Sequence, residues 1–323
     1  MILLTGATGF VGNAVLKQLM LQPDVIIRTY GRRAPVGLNA NRTADARVQM
    51  ISHATGEISA VTDYAPALID VDVVIHCAAQ AHINKNATDR QAEFYNVNCE
   101  GTLKLARQAI EAGVKRFLFI SSIGVNGSHN QQGPFKYDDV AAPWDDYTRA
   151  KYAAELGLMK LATETGLEVV IIRPPLVYGA NAPGNFGKLA QAVKAGKWLP
   201  LGAVYNQRSF VALPNIVDLI ITCITHPRAV NQTFLVSDDQ DVSTTQLLQM
   251  MTQAAGKSPR LIPVPMSWLR LVGRLTGKQA VIERLCGNLQ VDIGHTKQTL
   301  GWQPPISVAE GIKRCFVEEE GSC

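Results

Sequence analysis

Tyr147 and Lys151 stand four residues apart in the run Tyr-Thr-Arg-Ala-Lys, and Ser122 closes an earlier apolar run, Phe117-Leu-Phe-Ile-Ser-Ser122. On a helix, a spacing of i, i+4 puts the phenol and the ammonium on one face. A neighbouring cation favours phenolate and draws a tyrosine below its usual pKa of about 10. Tyr147 then reads as a general base for oxidising an alcohol, or as the acid for reducing a ketone. The Ser122 hydroxyl, at a strand end, can hold the substrate oxygen and donate to developing alkoxide charge. Ser121, its neighbour on the strand, should point to the other face. A Tyr-x-x-x-Lys match alone is also met by surface pairs, so its content comes from the serine before it and from the start of the chain.

That start reads Thr5-Gly6-Ala-Thr8-Gly9-Phe10-Val11-Gly12, directly after Ile2-Leu-Leu. Gly6 permits a tight turn, Gly9 lets the backbone approach a pyrophosphate, and Gly12 lets a helix pack close to the strand with its N-terminal amides facing the phosphates. Thr8, Phe10 and Val11 belong to the same cofactor-binding segment. The second strand should end beside the adenosine ribose, where an NAD-type site places an acid. Here Tyr30-Gly31-Arg32-Arg33 offers none. Two guanidiniums suit a 2′-phosphate, so NADP(H) is favoured and NAD(H) is the alternative; solvated loop arginines would look the same. Glu57 and Ile58 follow a third strand, where an apolar residue can flank adenine. Cys77-Ala78-Ala79 ends a fourth, and its alanines leave space for the cofactor backbone. Asn98 opens a helical stretch and reads as its cap in preference to a cofactor contact.

The elements that must position these groups alternate. Apolar runs of strand length occur at Ile2–Thr5, Val25–Tyr30, Val48–Ser52, Val73–Cys77, Arg116–Ser121 and Glu168–Arg173, with helical patterns at Gly12–Met20, Asn98–Ala112 and Tyr147–Thr165. Near-continuous Val, Ile, Leu and Phe in several runs suit strands buried on both faces. The rhythm predicts an α/β fold, a Rossmann-like doubly wound parallel sheet over residues 1–175 with ligands at its strand ends. After Arg173-Pro174-Pro175 the rhythm breaks. Residues 212–237, with a helix at Asn215–Thr225 and a strand at Thr233–Val236, should return to the sheet. Residues 176–211, with a helix at Phe186–Ala195, and 238–323 form a smaller, irregular C-terminal substrate lobe.

Composition narrows the classes. With 31 basic and 27 acidic residues in 323, the net charge of +4 is modest, and no basic block marks a nucleic-acid binder. Six cysteines form no C-x-x-C pair and six histidines have no ligand spacing, so buried thiols and no metal site are expected. A core strand at the start leaves no room for a signal peptide, and Ile216–Ile224 is too short to span a bilayer, so a cytoplasmic protein is expected. Met266–Gly287, with Trp268, Leu269, Leu271, Leu275 and three arginines, reads as a lid over the substrate in preference to an interfacial helix.

These motifs, with Val73-Val-Ile-His-Cys-Ala-Ala79, Asn96-Val-Asn-Cys-Glu-Gly-Thr102 and Arg173-Pro-Pro-Leu-Val-Tyr-Gly179, resemble over nearly the whole chain the extended short-chain dehydrogenase/reductases acting on nucleotide sugars. The resemblance implies that Pro174 meets the nicotinamide end. It also implies that Arg208 and Arg284 bind the diphosphate of a UDP-sugar and that Asn185-Phe186 contacts it nearby. A homodimer formed through Asn98–Ala112 and Tyr147–Thr165 is implied as well. The family's dehydratases carry Asp-Glu after the catalytic Ser/Thr; here Ile123-Gly124 follows Ser122, which disfavours dehydration. Phe119–Gly127 and Leu289–Ile293 are most similar to the UDP-N-acetylquinovosamine dehydrogenases of surface-polysaccharide pathways. The expectation is therefore 4-keto reduction or 4-dehydrogenation of a UDP-6-deoxy-N-acetylhexosamine. A 4-epimerase retaining NAD is the alternative, and a non-catalytic nucleotide-sensing module, which would typically lose Tyr147 or Lys151, is the remote one.

Overall fold

The computed structural model describes residues 1–35, 51–81, 87–130, 132–277 and 279–317. Its strands are β1 (Ile2–Thr5), β2 (Ile27–Gly31), β3 (Ile51–Thr55), β4 (Val73–His76), β5 (Arg116–Ile120), β6 (Glu168–Arg173), β7 (Leu176–Tyr178), β8 (Phe210–Ala212) and β9 (Gln232–Leu235). The helices of the first half are α1 (Phe10–Leu19), α2 (Ala65–Leu68), α3 (Ala87–Tyr95), α4 (Gly101–Glu111) and α5 (Asp146–Thr165). Those of the second half are α6 (Gly184–Lys194), α7 (Leu213–Thr225), α8 (Thr244–Ala254), α9 (Met266–Leu275), α10 (Gln279–Cys286), α11 (Gly294–Leu300) and α12 (Val308–Arg314).

Seven strands form one parallel sheet in the order β3-β2-β1-β4-β5-β6-β9. Period-two alternation explains why both of its faces are apolar. Ile2, Leu4, Ile75, Leu118 and Ile172 face α1 and α7 through Leu16, Leu19, Ile216 and Ile220. Leu3, Val74, Phe117, Phe119 and Ile171 face α2, α4 and α5 through Leu68, Leu105, Ala154 and Leu158. The strand order reverses between β1 and β4, which opens a crevice at their carboxyl ends where such sheets take ligands.

The second lobe has its own core, including Tyr178, Phe186, Phe210, Leu248, Met251, Val308 and Ile312, beside the short parallel pair β7–β8. It is tied to the sheet just past β9 by Asp238. That carboxylate accepts from the Tyr178 hydroxyl at 2.7 Å, the Ala212 amide at 2.8 Å and Asn215 Nδ2 at 2.7 Å.

Two sequence expectations change. The third strand runs Ile51–Thr55 where Val48–Ser52 was expected, and residues 48–50 lie outside the described residues. The helix expected to begin at Asn98 is instead continuous from α3 through a π-helical turn at Asn96–Glu100 into α4. Cys99, Cys223, Cys286 and Cys315 are buried free thiols and Cys77 is half-buried; Cys323 lies outside the described residues. No helix among the described residues is long and apolar enough to cross a membrane.

Candidate active site

The turn after β1 is built for close backbone approach. Gly6 sits at φ +73°, and a Cβ there would lie 2.6 Å from the Ala78 amide nitrogen. A Cβ on Gly12 would lie 2.2 Å from the Gly6 carbonyl oxygen, so α1 rests directly on the turn. Gly9 is the N-cap of α1 and offers no side-chain cap, leaving the first amides of the helix to whatever lies in front of them. That cradle suits an anionic pyrophosphate.

A cleft of about 760 Å³ lies over it at the ends of β1 to β4. Gly6, Thr8 and Gly9 line it from the first turn, Arg32 from the end of β2, Glu57 and Ile58 after β3, and Cys77, Ala78 and Ala79 after β4. Phe10, Val11, Gly12, Asn98 and Pro174 are not among its walls, and neither are Ser122, Tyr147 and Lys151. Phe10 packs toward the second lobe and Val11 against the sheet core. Arg33 is exposed and outside the walls. Pro174 is buried, and its carbonyl accepts the Ile123 amide at 2.9 Å, steadying the loop after Ser122.

The floor of the cleft is fixed by a buried chain of hydrogen bonds. Thr5 Oγ1 is 2.7 Å from His76 Nδ1, and His76 Nε2 is 3.0 Å from Thr102 Oγ1. Burial, aided by the Lys151 charge, pushes His76 down to about 3, so the ring is neutral. Thr102 donates to the Asn98 carbonyl, and the Asn98 amide both accepts from and donates to the Gln80 backbone, at 2.8 and 2.9 Å. The capping role expected for Asn98 is thus corrected. Its residue lies inside a continuous helix, and its side chain clamps the loop beyond Ala79.

Ser122 follows β5 in extended conformation and accepts the Gly124 amide at 3.1 Å. Tyr147 lies in the first turn of α5, which a reciprocal Asp145–Thr148 capping box starts. The loop and the helix start touch. A Cβ on Gly124 would lie 2.5 Å from Thr148 Cγ2 and 3.4 Å from both Ser122 Oγ and Trp144 Nε1. Desolvation, then Asp145, pushes the Tyr147 phenol up to about 12, and its ring meets the edge of Phe94 at 6.1 Å. Lys151, one turn on, is 1% exposed and donates to the Ile120 carbonyl at 2.8 Å, with its ammonium 4.3 Å over the Phe119 ring. Burial pulls Lys151 down to about 8. Ser121 points the other way, as expected, and donates to Glu155.

The substrate-side residues divide. Arg208 is half-buried, donates to the Gly287 carbonyl at 2.9 Å and stacks over Phe210. Arg284, one turn before Gly287, is exposed and stacks 5.1 Å over Trp144, three residues before Tyr147. The second lobe therefore reaches the start of α5. Asn185 is half-buried in the first turn of α6. Phe186 is a core residue, 2% exposed and packed on Tyr178, so its ring fills the lobe and does not face the cleft. Sequence reasoning missed Tyr30, Asp89 and Glu93 in the cleft walls and Phe94 against Tyr147. The last three lie on a helix whose signal the π-helical turn obscures; Trp144 could have been suspected from its nearness to Tyr147.

The chain belongs to the NAD dependent epimerase/dehydratase family, whose model matches residues 2–237. It is 46% identical over 319 residues to a UDP-glucose 4-epimerase of Vibrio cholerae, covering 97% of this chain and 93% of that one. It is 26% identical over 342 residues to an N-acetyl-α-D-glucosaminyl-diphospho-ditrans,octacis-undecaprenol 4-epimerase of Escherichia coli O157:H7, covering 98% and 95%. Among solved structures, a Thermotoga maritima UDP-glucose 4-epimerase with UDP-glucose superposes with TM-score 0.76 at 22% identity, covering 98% and 97%. A Bacillus cereus UDP-glucuronic acid 4-epimerase with NAD gives 0.78 at 19%, with the same coverage. The Rossmann-like fold is that of these enzymes.

Proposed function

We propose that the protein is a 4-epimerase of a UDP-hexose or UDP-N-acetylhexosamine that works through tightly held NAD. The observation that carries this is the 46% identity, across nearly the whole chain, to a UDP-glucose 4-epimerase. Expectation had placed 4-keto reduction with NADP(H) first, and that preference has no support from the relatives.

The cleft argues the same way. Its walls carry one arginine, Arg32, against Glu57, Asp89 and Glu93, so a 2′-phosphate would add dianionic charge to a surface already rich in carboxylates. Dehydration is disfavoured at Gly124, where any side chain would press on Thr148.

Gly6, Gly9 and the α1 amides would hold the dinucleotide, whose nicotinamide supplies a hydride acceptor when bound. Lys151 supplies positive charge beneath the cleft floor and is held in place by the Ile120 carbonyl. Tyr147 would take the proton from the sugar hydroxyl and give one back to the same oxygen in the product. Ser122 orients the oxygen, and Arg208 and Arg284 bind the diphosphate. With its pKa pushed up, the Tyr147 phenol is protonated, and positive charge placed beside it would favour its ionisation.

Residues 1–175 with 212–237 would serve as the cofactor domain, and 176–211 with 238–323 as the substrate lobe. The chain would act in the cytoplasm as a homodimer packed through α4 and α5, which light scattering tests. Denaturing the purified protein should release NAD+, and UDP-glucose should convert to UDP-galactose without added cofactor. Consumption of exchangeable NADPH with a UDP-4-keto-6-deoxy sugar, and no epimerisation, would replace this reading with the reductase.

A further inference from the structure

We propose that the outer face of α9 docks the protein on an anionic lipid surface. The helix has two apolar sides. One turns inward: Leu269 joins the lobe core, and Gly273 packs on α10, where a Cβ would lie 2.9 Å from Ile282. The other consists of Trp268, Leu271, Val272 and Leu275, which are 63, 51, 52 and 78% exposed. Their spacing of i, i+3, i+4 and i+7 makes one continuous stripe. A lid over the substrate would turn this stripe into the cleft, and it instead faces out.

The charge around the stripe selects the occupant. Arg270 and Arg274 are exposed, neither forms an ion pair among the described residues, and α9 carries no acid. A helix with exposed Trp and Leu, flanked by arginines and too short to span, has the character of an interfacial anchor on acidic headgroups. A second copy fits less well. One ten-residue helix is far short of the roughly 20–30 residues a side of a stable interface, and like faces would oppose their arginines. The placement also has a consequence for the cleft. Through α10 and Arg284 on Trp144, the docked face connects directly to the helix start that carries Tyr147.

The test is co-sedimentation of the full chain with sucrose-loaded vesicles of phosphatidylglycerol and phosphatidylcholine, against phosphatidylcholine alone. Binding should favour the anionic vesicles and weaken with salt. Leu271→Ser with Leu275→Ser should lower the bound fraction about tenfold, and Arg270→Gln with Arg274→Gln should remove the salt-sensitive part. Circular dichroism should show both variants folded. UDP-sugar epimerisation, measured on the same preparations without vesicles, should equal that of the parent, so an inactive parent counts against the proposed function and not against docking. Docking is overturned if the parent fails to sediment with anionic vesicles or if the Leu271/Leu275 variant sediments equally. It is also overturned if that variant halves the mass seen by light scattering, which would make the face a contact between copies.

Discussion

Lys151 and Arg173 are both cations buried beside α5, and the protein treats them in opposite ways. Arg173, at the end of β6, is 7% exposed and paired with a carboxylate. Its Nη2 meets Glu155 Oε2 at 2.6 Å, Nε reaches both oxygens of the same carboxylate, and Nη1 donates to Asn126 Oδ1 at 3.0 Å. Ser121 adds a donor to that carboxylate and Asn126 extends the network to the Lys136 carbonyl. Lys151 is more deeply buried; among the described residues it meets one carbonyl and one aromatic face, forms no ion pair, and feels the Glu155 charge without touching it. A satisfied network fixes positions, here the ends of β5 and β6 and the loop that carries Ser122. A cation left short of counter-charge stays available to a group that arrives or ionises later. Burial without pairing thus distinguishes the reactive site from its frame.

That contrast can be broken from either side. The largest effect should come on the reactive side. Tyr147→Phe removes the proposed proton carrier and should lower kcat between about 10² and 10⁴-fold, while bound nucleotide and melting temperature stay those of the parent. On the frame side, Glu155→Gln leaves Arg173 buried without its counter-charge. It should destabilise the fold by about 3–5 kcal/mol in denaturant titration. Next is a pH effect. Lys151, pulled down to about 8, is charged below that pH and neutral above it, so kcat/KM, which reports the enzyme before it meets substrate, should fall as pH rises through about 8. Lys151→Met, with no proton to lose, should lack that limb. The smallest effect belongs to an ion pair in water. Lys160 and Glu164 lie 3.7 Å apart on the exposed side of α5, and Lys160→Ala should leave the denaturant midpoint unchanged.

How much of this could be read from the chain depends on how local each signal is. β1, the glycine turn and β6 are contiguous patterns, and their bounds match the expectation. The placing of Ser122 after β5 and of Tyr147 and Lys151 one turn apart on α5 could be read because a strand end and a helix period are local. The helix through Asn98 was misread because a π-helical turn inserts an extra residue and throws the 3.6-residue period out of phase. The pair β7–β8 is three residues long in each strand, below what alternation can reveal. Phe186 carried no sign that it would fill a core, since an aromatic beside Asn suits a ligand pocket equally well. The Glu155–Arg173 pairing joins residues on different elements, and no spacing rule connects them.

Between β6 and β9 the chain leaves the sheet to build part of the lobe, and only then returns to pair Val170–Arg173 with Gln232–Leu235. During synthesis this leaves β6 as a bare margin, with five of its six residues apolar or destined for burial and its outer amides unmet. A ribosome stalled before Gln232 would therefore release a product holding every reactive group, yet with an open seam inviting any passing strand.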